Sequence, residues 1–220
     1  MTASNHASEP ANDAVLNATL KHVPFDGWSD AALMAGADDA GVEKDLVASL
    51  FPNGPIDAIA LFSRNADAKM VLDFEALPEP PQKTHLAIRA LVLCRLESAH
   101  ANKDAIRRAL AVLAKPTHAK LSAELMYETV DTMWRVAGQQ DTGFSFYTRR
   151  AILGAVYSST LLAWLADNNT DMHKTVVFLD RRLANVAAIP KTTAPLRGIV
   201  SAGGKVASTI LRSIGRRHAR

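Results

Sequence analysis

Proline and glycine cut this chain into segments of helical length, and that punctuation limits the fold more than any other feature. Between breaks at Pro24, Gly27, Gly41, Pro52 to Gly54, Pro78 to Pro81, Pro116, Gly138, Gly143, Pro190 and Pro195, apolar residues recur at steps of three and four. No stretch alternates as a strand would. An all-α fold is expected, with helices over about 10–21, from a cap at Ser29 or Asp30 to near Gly41, and over 43–51, 55–77, 83–99, 102–114, 118–137, 145–166, 171–189 and 195–215. Pro55 sits in the first turn of its helix, where its missing N–H costs nothing.

With 220 residues, 48% apolar and 21% charged, the chain can bury a substantial core. Its single cysteine, Cys94, lies in an apolar run and can form neither an internal disulfide nor a cysteine metal cluster. The first 13 residues hold no Lys or Arg, two acids and no apolar run, which fits neither a secretory signal nor a mitochondrial transit peptide. A cytoplasmic location is expected. The longest apolar stretch, Ala151 to Ala166, is 16 residues against the roughly 20 needed to span a bilayer, and reads as a buried helix.

Charge is unevenly spread. Residues 1–80 carry 4 Lys and Arg against 13 Asp and Glu, whereas residues 81–220 carry 21 against 9. The expected organisation is a tail over 1–9, a helix-turn-helix-like unit over 10–80, a helical bundle domain over 81–190, and a basic amphipathic segment over 191–220. Short helices turning at Gly41, then a long helix and a bundle, form the layout of TetR-type regulators. A DNA-reading helix needs cations for phosphate. The segment Gly41 to Phe51 offers only Lys44 against Glu43 and Asp45. No nucleic-acid partner is therefore expected.

Glycine-rich dinucleotide and phosphate loops, HExxH and GxSxG are absent from the sequence. Glu97 and His100 make one Glu-x-x-His pair, but a di-iron bundle needs two such pairs and further glutamates. Glu124, Glu128 and Asp131 share helical spacing and read as an exposed acidic face. No catalytic residue, metal site or cofactor is expected.

The last segment has a different character. Leu196, Ile199, Val200, Ile210, Leu211 and Ile214 fall on one helical face. Seven cations lie between Lys191 and Arg220, Lys205 and Arg212 among them, with no acid. Such a helix can bury its apolar face in an anionic lipid surface while the cations meet headgroups. A peripheral position on the inner membrane is expected.

Several blocks together resemble a known family: His22-Val-Pro-Phe-Asp-Gly-Trp28, Ala37-Asp-Asp-Ala-Gly-Val42, Phe51-Pro-Asn-Gly54, Met133-Trp134, Ala137-Gly138, Phe146-Tyr-Thr-Arg-Arg150, Val156-Tyr157, and Thr175 to Arg182 centred on Phe178-Leu-Asp-Arg-Arg. In this order and spacing they look like the accessory proteins of ubiquinone biosynthesis, the ninth member of the Coq set, over roughly residues 20–190. The resemblance implies a TetR-like fold without DNA binding, a homodimer, and a pocket for an isoprenoid quinone or phospholipid. It also implies a partner, the di-iron demethoxyubiquinone hydroxylase, met by a patch carried over as Met133, Trp134, Phe146 and Tyr147. Phe146 stands where the family usually has Trp.

Trp134 and Tyr147 flank a glycine-containing loop and would anchor an interface if exposed, or belong to the core if buried. Residues expected to line a lipid pocket are Leu91, Leu153, Val156, Leu161 and Phe178, with Leu93 and Leu162 as further candidates. The resulting expectation is a protein that does no chemistry and presents a polyprenylated precursor to the hydroxylase at the membrane. The alternative is a TetR-type regulator responding to a lipid.

Overall fold

The computed structural model describes residues 8–138, 144–169 and 171–188. Among them the chain forms α1 (Ser8–Asp26), α2 (Asp30–Asp39), α3 (Lys44–Leu50), α4 (Pro55–Glu75), α5 (Thr84–Glu97), α6 (Lys103–Leu113), α7 (Ala119–Val136), α8 (Phe144–Ala166) and α9 (His173–Ala188). Short 3-10 turns lie at His100–Asn102 and Pro116–His118, and no described residue is in a strand. One compact unit runs to Leu183 and a second begins at Ala184. The amphipathic segment expected over 195–215 lies outside the described residues.

The first helix runs past the end its proline suggested. Pro24 sits in the last turn of α1, where its absent N–H costs one backbone bond near a terminus that frays in any case. Gly27 makes the stop: at φ +66° it turns the chain and donates its N–H to the Val23 carbonyl at 2.9 Å. The next helix begins as expected, with the Ser29 hydroxyl accepting from the Ala32 N–H at 3.2 Å.

Helices α1 and α2 touch backbone to backbone. A Cβ on Gly36 would lie 2.2 Å from Thr19 Oγ1 and 2.6 Å from the Thr19 amide nitrogen. That contact lets Val15, Leu16 and Val23 of α1 share a core with Leu33 and Ala37 of α2, Val47 of α3, and Ala58 and Ile59 of α4. The acidic surface anticipated for α3 is present: Glu43, Lys44 and Asp45 are exposed, and the one cation pairs with Asp38 at 3.4 Å.

The chain crosses Pro78 to Pro81 without a break in packing. Ala105 and Ala109 of α6 complete the core of the first helices, and the Trp28 indole N–H donates to the Ala105 carbonyl at 2.9 Å. The cations of α6 then tie the ends of other helices. Arg108 donates to the Pro24 carbonyl at the end of α1 (2.7 Å), Arg107 to Leu165 at the end of α8 (3.1 Å), and Lys103 to Asp167 just beyond it. Carbonyls at a helix C-terminus lack intrahelical donors and carry partial negative charge, so a cation satisfies both needs. Helix α4 packs on α5 and α7, and α7 on α8.

Substituting Gly36→Ala is expected to lower stability by about 1–3 kcal/mol, since neither backbone can yield without separating the helices. Urea unfolding of the variant beside the parent checks this, and an unchanged midpoint would mean the crossing is loose.

Candidate functional site

Two features stand out: a small cavity inside the bundle and a face where α7 meets α8. The cavity is about 100 Å³ and lies among α4, α5, α6, α7 and α8. Its walls are mostly apolar, with Ile59 and Phe62 from α4, Leu96 from α5, Ile106 and Leu110 from α6, Leu125 from α7 and Leu161 from α8. For scale, an apolar protein cavity of about 150 Å³ takes up benzene. An isoprenoid chain therefore requires the walls to part.

One wall of this cavity is polar. Arg95 Nε donates to Asp67 Oδ1 at 2.8 Å, and the Thr129 hydroxyl donates to Asp67 Oδ2 at 2.8 Å. The two charged side chains keep only 8% and 9% of their exposure. Burial pushes the Asp67 carboxyl above its usual range, while Arg95 and Thr129 pull it back. Tyr157 stands beside them, wholly buried, and burial raises its phenol. The pair is a cation inside the apolar run Leu91 to Leu96 matched to an acid inside α4, and each turns inward because the other is there.

Of the residues expected to line a lipid pocket, only Leu161 faces this cavity. Leu91, Leu153 and Val156 are buried elsewhere in the core. Phe178 is half-buried on α9 beneath the guanidinium groups of Arg182 and Arg181, at 4.8 and 5.6 Å from its ring. Leu93 is half-buried and Leu162 exposed. The lining residues missed on α4 and α6 carried a signal: Ile106, Ala109, Leu110 and Leu113 form a single stripe on α6.

At the second feature, Asp131 of α7 accepts from Arg150 of α8 at 2.9 and 2.7 Å, and from Arg135 on its own helix at 3.0 Å. The Arg150 guanidinium lies 3.4 Å over the Phe146 ring, which meets Tyr147 edge-on at 5.0 Å. Tyr147 itself is 70% exposed. It borders an open groove of about 380 Å³ that Tyr127, Val130 and Gly154 also line. Of the remaining residues expected in the partner patch, Trp134 is half-buried, with an indole nitrogen that has no hydrogen-bond partner among the described residues. Met133 is fully buried, so it supports this face from beneath and presents nothing on it. Phe146 is half-buried.

The carboxylates read as an acidic face each meet a cation. Glu128 accepts from Arg64 at 2.9 and 3.1 Å, Glu124 faces Lys120, and Asp131 is held as described. Glu97 is exposed, and the His100 ring packs edge-on to Trp164. Among the described residues no group of three His, Cys, Asp or Glu is placed to hold a metal ion. No single described helix is long and apolar enough to cross a membrane. The residues expected to meet the membrane, Leu196, Ile199, Val200, Lys205, Ile210, Leu211, Arg212 and Ile214, lie outside the described residues.

The last described helix is fastened by polar contacts in its first turn and at its middle. The Asp167 carboxylate accepts from the Thr175 N–H and hydroxyl, both at 3.0 Å, while Arg89 of α5 pairs with Asp180. The bond from Arg89 holds Asp180 below the usual carboxylate range.

These elements define a TetR-like all-helical protein with a small inner cavity. The TetR transcriptional regulator from Nitrosomonas europaea ATCC 19718 superposes with a TM-score of 0.67, covering 81% of this chain and 99% of that one at 19% identity, which establishes the fold alone. Residues 119–190 match the family model of COQ9. The ubiquinone biosynthesis protein COQ9, mitochondrial, of Rattus norvegicus is 32% identical over 184 residues, 80% of this chain and 59% of that protein. Its counterpart from Homo sapiens is 31% identical over 184 residues, covering 80% and 58%. The chain is thus similar to the COQ9 proteins over four fifths of its own length, and it spans a little under three fifths of the length of these mitochondrial relatives.

Two substitutions separate the kinds of ion pair. Asp67→Asn leaves Arg95 buried without its counter-charge and is expected to cost about 3–5 kcal/mol. Asp180→Asn removes an exposed pair and should cost less than about 1 kcal/mol, because solvent screens it. Asp180 has a folded pKa below its unfolded one, so its contribution is present above the unfolded pKa and fades as pH falls through the folded value. Denaturation at neutral and at acidic pH should show the difference between parent and Asp180→Asn at neutral pH only.

Proposed function

We propose that this chain is a non-enzymatic accessory protein of ubiquinone biosynthesis that binds a polyprenylated quinone precursor and presents it to the di-iron demethoxyubiquinone hydroxylase. Its relatives' names place them in ubiquinone biosynthesis, and the match extends over four fifths of the chain. The observation that carries the presenting role is Tyr147, which stands out of the α7–α8 face on a base made rigid by Phe146, Arg150 and Asp131. A large exposed aromatic on a fixed base is the kind of group that anchors a protein interface. In this reading the lipid, an isoprenoid quinone or a phospholipid, enters the bundle cavity as α6 and its neighbours part. The chain acts as a homodimer on the cytoplasmic side of the inner membrane, with the basic segment from Lys191 onward on anionic lipid.

Nucleic acid plays no part. The exposed charges of α3 and the acidic excess of residues 1–80 repel phosphate. The alternative of a lipid-responsive regulator draws on the shared fold. It requires salt-sensitive binding to a short palindromic duplex, which this reading expects to be absent.

The test is capture of the purified hydroxylase by this protein. Tyr147→Ala is expected to weaken capture at least tenfold without altering the unfolding midpoint, whereas Leu72→Ala, an equally open apolar side chain on α4, should leave capture unchanged. Equal capture by both variants would remove this face from the interface. Removing residues 191–220 should abolish flotation with vesicles containing anionic lipid and spare capture of the enzyme in solution.

A further inference from the structure

The bundle cavity is apolar on most of its surface, yet one wall carries Arg95, Thr129 and Tyr157, with Asp67 bonded to Arg95 and Thr129 behind it. A wall of this kind is costly, because it takes two charges out of water inside a protein of modest size. Its hydrogen-bonding inventory is uneven. Both Asp67 oxygens are occupied, one by Arg95 and one by Thr129. Of the five N–H groups of Arg95, one goes to Asp67 and one to the Ser63 carbonyl at 3.3 Å. The wall therefore has donors to spare and a filled acid.

From this arrangement we infer that the cavity binds the head of a neutral amphiphile, with a carbonyl-type oxygen accepting from Arg95 at the inner wall and the apolar chain leading outward. This rests on the lipid-binding part of the reading above and reverses the sense in which the ligand would sit: the oxygen-bearing end goes in first. At about 100 Å³ the cavity takes a ketone- or ester-sized group at rest, and a larger head or more of the chain enters only as the walls part. The apolar side chains of Ile106, Leu110 and Leu161 then line the way out.

Charge decides between a neutral head and an acidic one. Arg95 is already balanced by Asp67 at 2.8 Å. A carboxylate arriving beside them would leave one uncompensated negative charge in a buried site, whereas a ketone, ester or quinone oxygen adds none. The spare N–H groups of a charged guanidinium also make stronger bonds than neutral donors do.

The probes are 2-octanone, octanoate and octane, which share a chain length and differ only at the head, titrated into the full-length protein by calorimetry. 2-Octanone is expected to bind at least tenfold more tightly than octanoate. In the double variant Asp67→Leu with Arg95→Met, both charges are replaced by apolar groups of similar bulk, so the fold should survive. There the ratio of 2-octanone affinity to octane affinity should fall about tenfold, the worth of one hydrogen bond to a charged donor. Ala109→Leu, which fills the cavity, should weaken all three probes.

An unchanged ratio in the double variant, or octanoate binding more tightly than the ketone, would overturn the head-inward assignment while leaving lipid binding intact. Failure of every probe to bind the parent protein would overturn the lipid-binding reading with it. Should the double variant not fold, Asp67→Asn with Arg95→Gln serves in its place, since a neutral amide pair can still bond between α4 and α5 while the charged donor is gone. No change in the ratio in that variant would equally overturn the assignment.

Discussion

The buried pair of Asp67 and Arg95 is the interaction on which the bundle depends. It joins α4 to α5, and through Thr129 it brings in α7, so three helices meet at one carboxylate. An unpaired charge at this depth would cost several kcal/mol, a sizeable part of the total stability of a small protein. The register of these helices is therefore fixed by a polar contact as well as by apolar packing, which tolerates sliding more readily.

A second constraint acts at the other end of the chain. Gly36 against Thr19 sets how closely α1 and α2 approach, and Trp28, hydrogen-bonded to Ala105, fastens that pair to the bundle. This packing maintains a helix-turn-helix geometry whose surface carries acids. The shape of that unit is set by its core, and its acidic surface is set independently of it.

Much of the fold was legible in the sequence, because glycine and proline act locally. Every described helix lies close to its expected span, and the one clear difference, the longer α1, arose because a proline in a last turn removes a bond that hardly matters while the glycine three residues on makes the stop. The family blocks were legible for the same reason, as order and spacing along a line. The cavity was not. Leu91, Leu153 and Val156 carry the composition of a lipid pocket but face core, and only three-dimensional placement separates a leucine that lines a void from one that fills it. The polar wall required pairing residues 28 positions apart on different helices, which periodicity cannot do, although a lone arginine in the run Leu91 to Leu96 did mark one half of it. Met133 entered the expected partner patch through the family resemblance together with Trp134, but adjacent residues on a helix point about 100° apart, and Met133 faces the core.

Helix α6 is eleven residues long, packs through Ala105 and Ala109 on the core of the first helices, and is tied through Lys103, Arg107 and Arg108 to the carbonyl ends of α1 and α8. Parts of a protein with few buried contacts open at a fraction of the cost of global unfolding. A helix fastened by its charged side to two fixed points, with the void on its apolar side, can swing on those tethers without being released. The volume found in one conformation then reflects the stiffness of one wall as well as its shape at rest.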